Sequence, residues 1–216
     1  MRVASRYLSR GLGLAAAAIV SAGLLAGCGG SSPSHATASV AASENTAALD
    51  APAVLEPPAS SPEIALRDST GKLVRLSRYR GKAVLLTFIY DHCPDVCPLI
   101  VGDLHAAMLQ LGAQASKAQV VAVSVDPKGD TPSTVKAFLA AHDMTGRMEY
   151  LIGSLSQLAP VWRAYGVGVG GTPDSREVSH TALVYGITGS GKRLALYPAE
   201  LKPEWIVHDV PLLASR

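Results

Sequence analysis

The stretch AVLLTFIYDHCPDVCPLIVGDLHAAMLQL, residues 83–111, determines the fold of this 216-residue chain. It opens on a nearly continuous apolar run at 83–90, which is typical of a central strand buried on both faces. It then passes through two cysteines into a helical pattern at about 99–111. A buried strand that leads directly into a helix predicts an α/β domain, with the cysteine segment at the junction.

The segments around this stretch alternate between strand and helix patterns. Strands are predicted at 64–66, 73–76, 120–125, 181–187 and 193–197, and helices at 155–165 and from Thr131 and Pro203 onward. The first two strands flank a turn at 68–71, so they predict an N-terminal β-hairpin. This order fits a thioredoxin-like α/β fold, in which a central β-sheet is flanked by helices.

The N-terminal segment is predicted to direct export rather than to fold. An arginine-rich start and an apolar run at 11–26 end in Leu-Ala-Gly-Cys at 25–28, which predicts a signal peptide over 1–27. The same order resembles the lipobox of bacterial lipoproteins, in which the cysteine is lipidated, so Cys28 is the predicted lipidation site. An uncleaved signal anchor is less favoured, because the apolar run is shorter than the roughly 20 residues that a spanning helix needs.

Residues 28–62 are rich in alanine, serine and proline and contain few large apolar side chains. Such a composition predicts a flexible linker, so the folded domain is predicted over 63–216. We expect an extracytoplasmic domain that is anchored to the membrane through its lipid and can reach a membrane-embedded partner. A net charge of only +2 gives no basic surface for nucleic acid.

Cys93 and Cys97 are the two cysteines of the predicted domain, in the spacing C-x-x-x-C at the strand-to-helix junction. On a helix, residues four apart share one face, close enough to bind one metal ion or, with local adjustment, to form a disulfide. The N-terminus of a helix also lowers the pKa of a thiol, so the pair is predicted to be reactive. A static disulfide is a weaker alternative, because it would close only a short loop.

Two thiolates rarely complete a metal site, so a third ligand is expected among the six histidines. His180 immediately precedes the predicted strand at 181–187. In thioredoxin-like folds the segment entering that strand faces the cysteine site, and oxidoreductases place a cis-proline there. His180 is therefore the predicted third ligand. Surface or core positions without a ligand role are predicted for the other five: His35, His92, His105, His142 and His208.

Several blocks of the sequence resemble the Sco/SenC family of cytochrome oxidase assembly proteins. They follow one another in the family's order over about 65–213, at 88–98, 123–127, 130–132, 153–167 and 178–180. Two positions depart from the commoner pattern: Asp91 stands where threonine is frequent, and Ser179 stands where many relatives carry an acid. Neither is expected to be a ligand, and both are expected to tune the affinity and redox poise of the site.

The resemblance implies a copper ion, Cu(I) or Cu(II), held by the thiolates of Cys93 and Cys97 and the imidazole of His180. These soft donors suit Cu(I), whereas a structural zinc site is normally closed by four ligands. The resemblance also implies a chaperone that helps to build the dinuclear copper centre of cytochrome c oxidase subunit II. Another periplasmic copper carrier or a thiol reductant is a further expected partner. A carrier rather than an enzyme is therefore expected.

The main alternative is a thiol-disulfide oxidoreductase that uses Cys93 and Cys97 as a redox pair and forms a disulfide between them. It would keep the copper-binding cysteines of the partner reduced, and the two roles can coexist, since the disulfide form cannot bind copper. A peroxidase of the peroxiredoxin type fits less well. Outside the ligand set, Asp95 is predicted to favour the helix dipole, and Asp126 to support a loop or turn.

Overall fold

The computed structural model describes residues 48–170 and 178–216. The predicted signal peptide over 1–27 and the predicted lipidation site Cys28 lie outside these residues. The strands are β1 (Ala53–Ser60), β2 (Ala65–Asp68), β3 (Leu73–Arg75), β4 (Ala83–Ile89), β5 (Ala118–Ser124), β6 (Met148–Ile152), β7 (Val169–Gly170), β8 (Ser179–His180), β9 (Leu183–Ile187) and β10 (Lys192–Pro198). The α-helices are α1 (Val96–Leu111), α2 (Pro132–Ala141), α3 (Leu155–Tyr165) and α4 (Pro203–Ser215).

Within the described residues, eight strands form one sheet in the order β1-β10-β9-β4-β5-β6-β2-β3, and β7 pairs with β8 in a separate ladder. β4 and β6 run parallel to β5, whereas β4 pairs with β9, and β2 with β3, in the antiparallel sense. Every residue of β4 is buried, as its apolar run predicted. Helix α1 packs against α4, which also contacts β4. The predicted thioredoxin-like α/β fold with an N-terminal hairpin is confirmed.

The folded region begins before the predicted boundary at residue 63. Strand β1 lies inside the predicted linker, 28–62, and pairs antiparallel with β10 at the edge of the sheet. Its residues are mostly exposed, because an edge strand is held by backbone hydrogen bonds and needs no large apolar side chains. The composition predicted a linker where the structure has a strand. The linker prediction is therefore wrong for Ala53–Ser60.

A buried carboxylate ties the segment ahead of β1 to the last helix. Asp209 of α4 has no exposed surface and accepts hydrogen bonds from the N–H groups of Asp50 at 2.7 Å and Ala51 at 2.9 Å. Its Oδ2 also accepts a 2.7 Å hydrogen bond from the Tyr197 hydroxyl, and His208 Nδ1 lies 2.8 Å from its Oδ1. Because a buried charge is costly unless its oxygens are paired, this network fixes where the chain enters the domain.

Two helices begin at, or one residue after, the starts that the sequence predicted. The Thr131 side chain accepts a hydrogen bond from the N–H of Thr134 at the start of α2, and Pro132 is the first residue of that helix. Helix α4 begins at Pro203, as predicted. These local signals place α2 directly after the loop that faces the cysteine segment.

Candidate metal centre

The two cysteines lie in the turn between β4 and α1. Helix α1 begins at Val96 rather than near residue 99, so Cys97 is in its first turn and Cys93 precedes the N-cap residue Asp95. The expectation that both cysteines share one helical face is therefore wrong. Instead, a turn in which the N–H of Cys93 donates to the carbonyl of Tyr90 at 3.4 Å brings the two thiols within hydrogen-bonding distance of each other.

Both cysteines carry free thiols, but they differ in access to solvent. Cys97 is completely buried, whereas Cys93 keeps 8% of its surface exposed. An incoming ion or thiol therefore meets Cys93 first. The disulfide between the two stays a prediction.

His180 lies beside Cys97 although 83 residues separate them in the sequence, and its Nε2 is 3.8 Å from the Cys97 Sγ. The histidine is not at the start of β9, which begins at Leu183; it belongs to β8, where it pairs with Val169 of β7. The structure thus brings two of the three predicted ligands, His180 and Cys97, into direct contact. The third, Cys93, forms a hydrogen bond with the thiol of Cys97. Their role as metal ligands stays a prediction.

The environment of His180 favours the form that can bind a metal. Burial lowers its pKa, which outweighs the opposite effect of a hydrogen bond with the Thr181 carbonyl, so the ring is neutral at pH 7. Its Nδ1 lies 3.1 Å from that carbonyl and must carry the ring proton to donate to it. The lone pair is then on Nε2, the nitrogen that faces Cys97.

The two thiols have opposite acidities. Burial alone would raise the pKa of Cys93, but hydrogen bonds from the Cys97 thiol, from backbone N–H groups of the first helical turn and from the Tyr90 hydroxyl lower it overall. Burial and the neighbouring Cys93 thiolate raise the pKa of Cys97 well above its usual value. Cys93 is therefore the more acidic thiol of the pair, and Cys97 holds its proton more strongly.

Tyr90 is a part of the site that sequence reasoning missed. Burial and a hydrogen bond to Cys93 raise its pKa to about 12, so at neutral pH it is a hydroxyl that donates to the Cys93 sulfur. Its ring also meets the rings of His180 and His92 edge-on, with centroids 5.9 and 5.0 Å apart. Tyr90 sits at the end of the predicted apolar strand, so its pattern indicated a core residue and nothing more.

The remaining predicted positions take other roles. His142 ends α2 against the Phe138 ring, and His208 contacts Asp209. His105 lies within α1, beyond the two cysteines. Asp126 supports its own loop, as predicted, because its Oδ1 accepts 3.0 Å hydrogen bonds from the next N–H groups along that loop. His35 lies outside the described residues.

An acidic group that the sequence analysis did not single out lies beside the cysteine turn. Asp130 is 6% exposed; it accepts a hydrogen bond from the N–H of Asp91 at 2.9 Å and another from the Tyr150 hydroxyl at 2.8 Å. Burial, with a smaller contribution from the charge of Asp91, raises its pKa to about 7. No periodic pattern marks this residue, which is why only the structure reveals it.

The donor set is suited to a soft metal ion. Two sulfur donors and one neutral imidazole match the preferences of Cu(I), and the partial exposure of Cys93 leaves an approach for a partner. Sequence reasoning singled out all three residues, whose role as ligands stays a prediction. What it could not provide is the order of their acidities, which depends on burial and on hydrogen bonds from distant parts of the chain.

We expect iodoacetamide to alkylate Cys93 at least about tenfold faster than Cys97 in the reduced, folded chain at pH 7, because the thiolate is the reactive form and Cys97 is buried and protonated. Timed alkylation followed by peptide mass spectrometry measures both rates. The same chain in urea serves as the control and should show nearly equal rates. Equal rates in the folded chain would contradict the assignment of the thiolate to Cys93.

The comparisons with known proteins agree with one another. A family model described as SCO1/SenC matches residues 54–215. The mitochondrial SCO2 homolog of Bos taurus is 29% identical to the chain over 154 residues, which make up 68% of this chain and 57% of that protein. The chain thus spans a little more than half the length of this curated relative.

Two solved structures are similar over nearly their whole length. Copper-bound ScoI from Bradyrhizobium japonicum is 31% identical, with a TM-score of 0.64 and coverage of 72% of this chain and 99% of that one. Apo Sco1 from Thermus thermophilus is 30% identical, with a TM-score of 0.64 and coverage of 76% and 95%.

Proposed function

This chain belongs to the SCO1/SenC family, and from that premise we propose that it is a copper metallochaperone for the dinuclear copper centre of cytochrome c oxidase. In this proposal Cys28 carries a lipid that tethers the domain to the membrane outside the cytoplasm. Subunit II of the oxidase is the partner that receives the copper ion, and another periplasmic copper carrier supplies it. The observation that carries the proposal is the 3.8 Å approach of His180 Nε2 to Cys97 Sγ.

The chemistry of the three side chains supports copper as the cargo. Cys93, Cys97 and His180 offer two sulfur atoms and one neutral imidazole nitrogen, a set that binds Cu(I) strongly and can hold Cu(II) with rearrangement. The relative from Bradyrhizobium japonicum, 31% identical, has copper bound in its structure. Three ligands also leave one side of an ion free for a ligand from a partner, which a closed four-ligand site would not.

The acidities suggest an order in which the ligands act. Cys93 is the more exposed and the more acidic thiol, so it makes the first bond to the ion. Cys97 then loses its proton to solvent as its sulfur binds, which the positive ion favours. His180 needs no proton change, because its ring is already neutral. In delivery, a thiolate of the partner replaces these ligands one at a time, beginning at the exposed side of Cys93.

One observation favours the second function, a thiol-disulfide oxidoreductase that reduces the cysteines of the partner. A low-pKa thiol next to a buried, protonated one is the arrangement of a nucleophilic and a resolving cysteine. Cys93 would attack the disulfide of the partner, and Cys97 would then attack the mixed disulfide. Cys93 and Cys97 would end as a disulfide and the partner as two thiols. A periplasmic thiol reductant would restore the reduced pair.

The two functions are separated by mixing the reduced full chain with the copper-binding domain of oxidase subunit II. Loaded with Cu(I), the chain should transfer copper to reduced subunit II; without copper, the oxidoreductase would instead reduce oxidised subunit II. Copper content after separation measures the first reaction, and free-thiol titration of subunit II measures the second. Thiol reduction without any copper transfer would replace the chaperone by the oxidoreductase, and neither reaction would contradict both functions.

A further inference from the structure

A second group of potential ligands lies next to the cysteine turn. Asp91, His92 and Asp130 each offer one ligand atom, and these three atoms lie within 4.8 Å of one another. None of them belongs to the set of Cys93, Cys97 and His180. The donors are carboxylate oxygens and an imidazole nitrogen, which are harder ligands than thiolates.

One atom of this group is unsatisfied in a way that calls for a ligand. Oδ2 of Asp91 is the buried side-chain polar atom that has no hydrogen-bond partner among the described residues. The side chain of Asp91 is 6% exposed, so water does not solvate it freely. A buried carboxylate oxygen without a partner destabilises the fold, and a bound cation would remove that cost.

The surrounding residues orient the group. His92 Nδ1 lies 2.8 Å from Asp91 Oδ1, and His92 Nε2 lies 3.4 Å from Asp126 Oδ2. If Nε2 carries the ring proton and directs it to Asp126, the lone pair of Nδ1 faces Asp91. A carboxylate that holds the far side of an imidazole in this way is the usual outer partner of a metal-binding histidine.

The loop that carries Asp126 and Asp130 packs closely against the histidine. A Cβ at Gly129 would come within 2.5 Å of the His92 ring and would collide with the Asp126 carboxylate. The absence of a side chain at Gly129 therefore permits this close approach. Asp130 is fixed from the other side by the Tyr150 hydroxyl at 2.8 Å.

We propose that Asp91, His92 and Asp130 form a second metal site, which takes a divalent first-row transition-metal ion. Bonds of about 2.0–2.2 Å place ligand atoms roughly 3–4 Å apart, so the observed separations need to contract only slightly. His92, whose side chain is 38% exposed, gives the ion its access. This site is independent of the proposed copper function, since it shares no ligand with it.

The test uses the full chain with the substitutions Cys28→Ser, Cys93→Ser and Cys97→Ser, which remove all three thiols. Titration with Co²⁺, followed by absorbance, should show one bound ion with weak d–d bands and without the intense sulfur-to-metal band. Calorimetry with Zn²⁺ should give the same stoichiometry. Asp91→Thr introduces the residue that is frequent in the family and should lower both affinities at least tenfold, as should Asp130→Asn. Asp103→Asn, on α1, is the matched control and should bind like the parent.

Binding that is unchanged by Asp91→Thr and Asp130→Asn, or no binding by the thiol-free chain, would overturn the proposal. If the thiol-free chain does not fold by circular dichroism, the comparison moves to the chain with its cysteines intact. There, Asp91→Thr should remove one bound Zn²⁺ while the ion held by the cysteines remains. Equal stoichiometry in parent and variant would overturn the proposal in that setting.

Discussion

Replacing His180 by alanine is expected to lower the affinity of the reduced chain for Cu(I) by at least about a hundredfold, on the order of 3 kcal/mol, because it removes one of the three proposed ligands. The two thiolates remain, so binding is weakened rather than abolished. The fold is retained, because the ring is only partly buried and lies in a two-residue strand outside the main sheet. Anaerobic titration against a competing Cu(I) chelator measures the affinity.

His105→Ala is the matched control for this substitution, since it also replaces a histidine by alanine but lies along α1, beyond the cysteine turn. It should keep the affinity of the parent. Thiol-disulfide exchange by the His180 variant should stay close to that of the parent, because exchange needs only the cysteines. A His180 variant with unchanged copper affinity would show that His180 is not a ligand.

Asp209→Ala is expected to lower the free energy of unfolding by about 3–5 kcal/mol, the largest effect on stability that we predict. The substitution removes the acceptor of the Asp50 and Ala51 N–H groups and of the Tyr197 hydroxyl, and it leaves the hydroxyl unpaired in a buried environment. Urea denaturation followed by circular dichroism gives the free energy.

His208→Ala separates this hydrogen-bond network from the neighbouring ion pairs. The His208 side chain is 43% exposed, so its pairs with Asp50 and Asp209 are screened and should contribute about 1 kcal/mol or less. Asp209→Asn keeps one acceptor oxygen and should fall between the two variants. A loss as large for His208→Ala as for Asp209→Ala would indicate that the charge pair, not the buried acceptor, holds the segment.

The fold was predictable where local signals and burial agree. The apolar run that became β4 is buried throughout, and the capping residue Thr131 and the first-turn Pro203 mark helices where the structure has them. Strand β1 was not predictable in this way. It is stabilised by its backbone pairing with β10 rather than by its side chains, so its composition carries no signal of the strand.

The candidate site, like the fold, was only partly predictable from the sequence. Cys93 and Cys97 are identified by their spacing, and His180 by its place in a thioredoxin-like fold rather than by any local pattern. The acidity of the thiols and the cluster around Asp91 and Asp130 depend on side chains that meet only after folding. A single aspartate gives no periodicity, so sequence reasoning had no means of finding the cluster.

The sulfur and nitrogen donors of the proposed copper site lie on different parts of the molecule. Cys97 is in the core helix α1, whereas His180 is in the β7–β8 ladder, which is separate from the eight-stranded sheet. We expect that opening of this short ladder moves the nitrogen donor while the core stays folded, at a fraction of the free energy of global unfolding. For an ion held by the proposed ligands, the residence time is then governed by this local fluctuation, and substitutions that raise the melting temperature through the core should leave the dissociation rate unchanged.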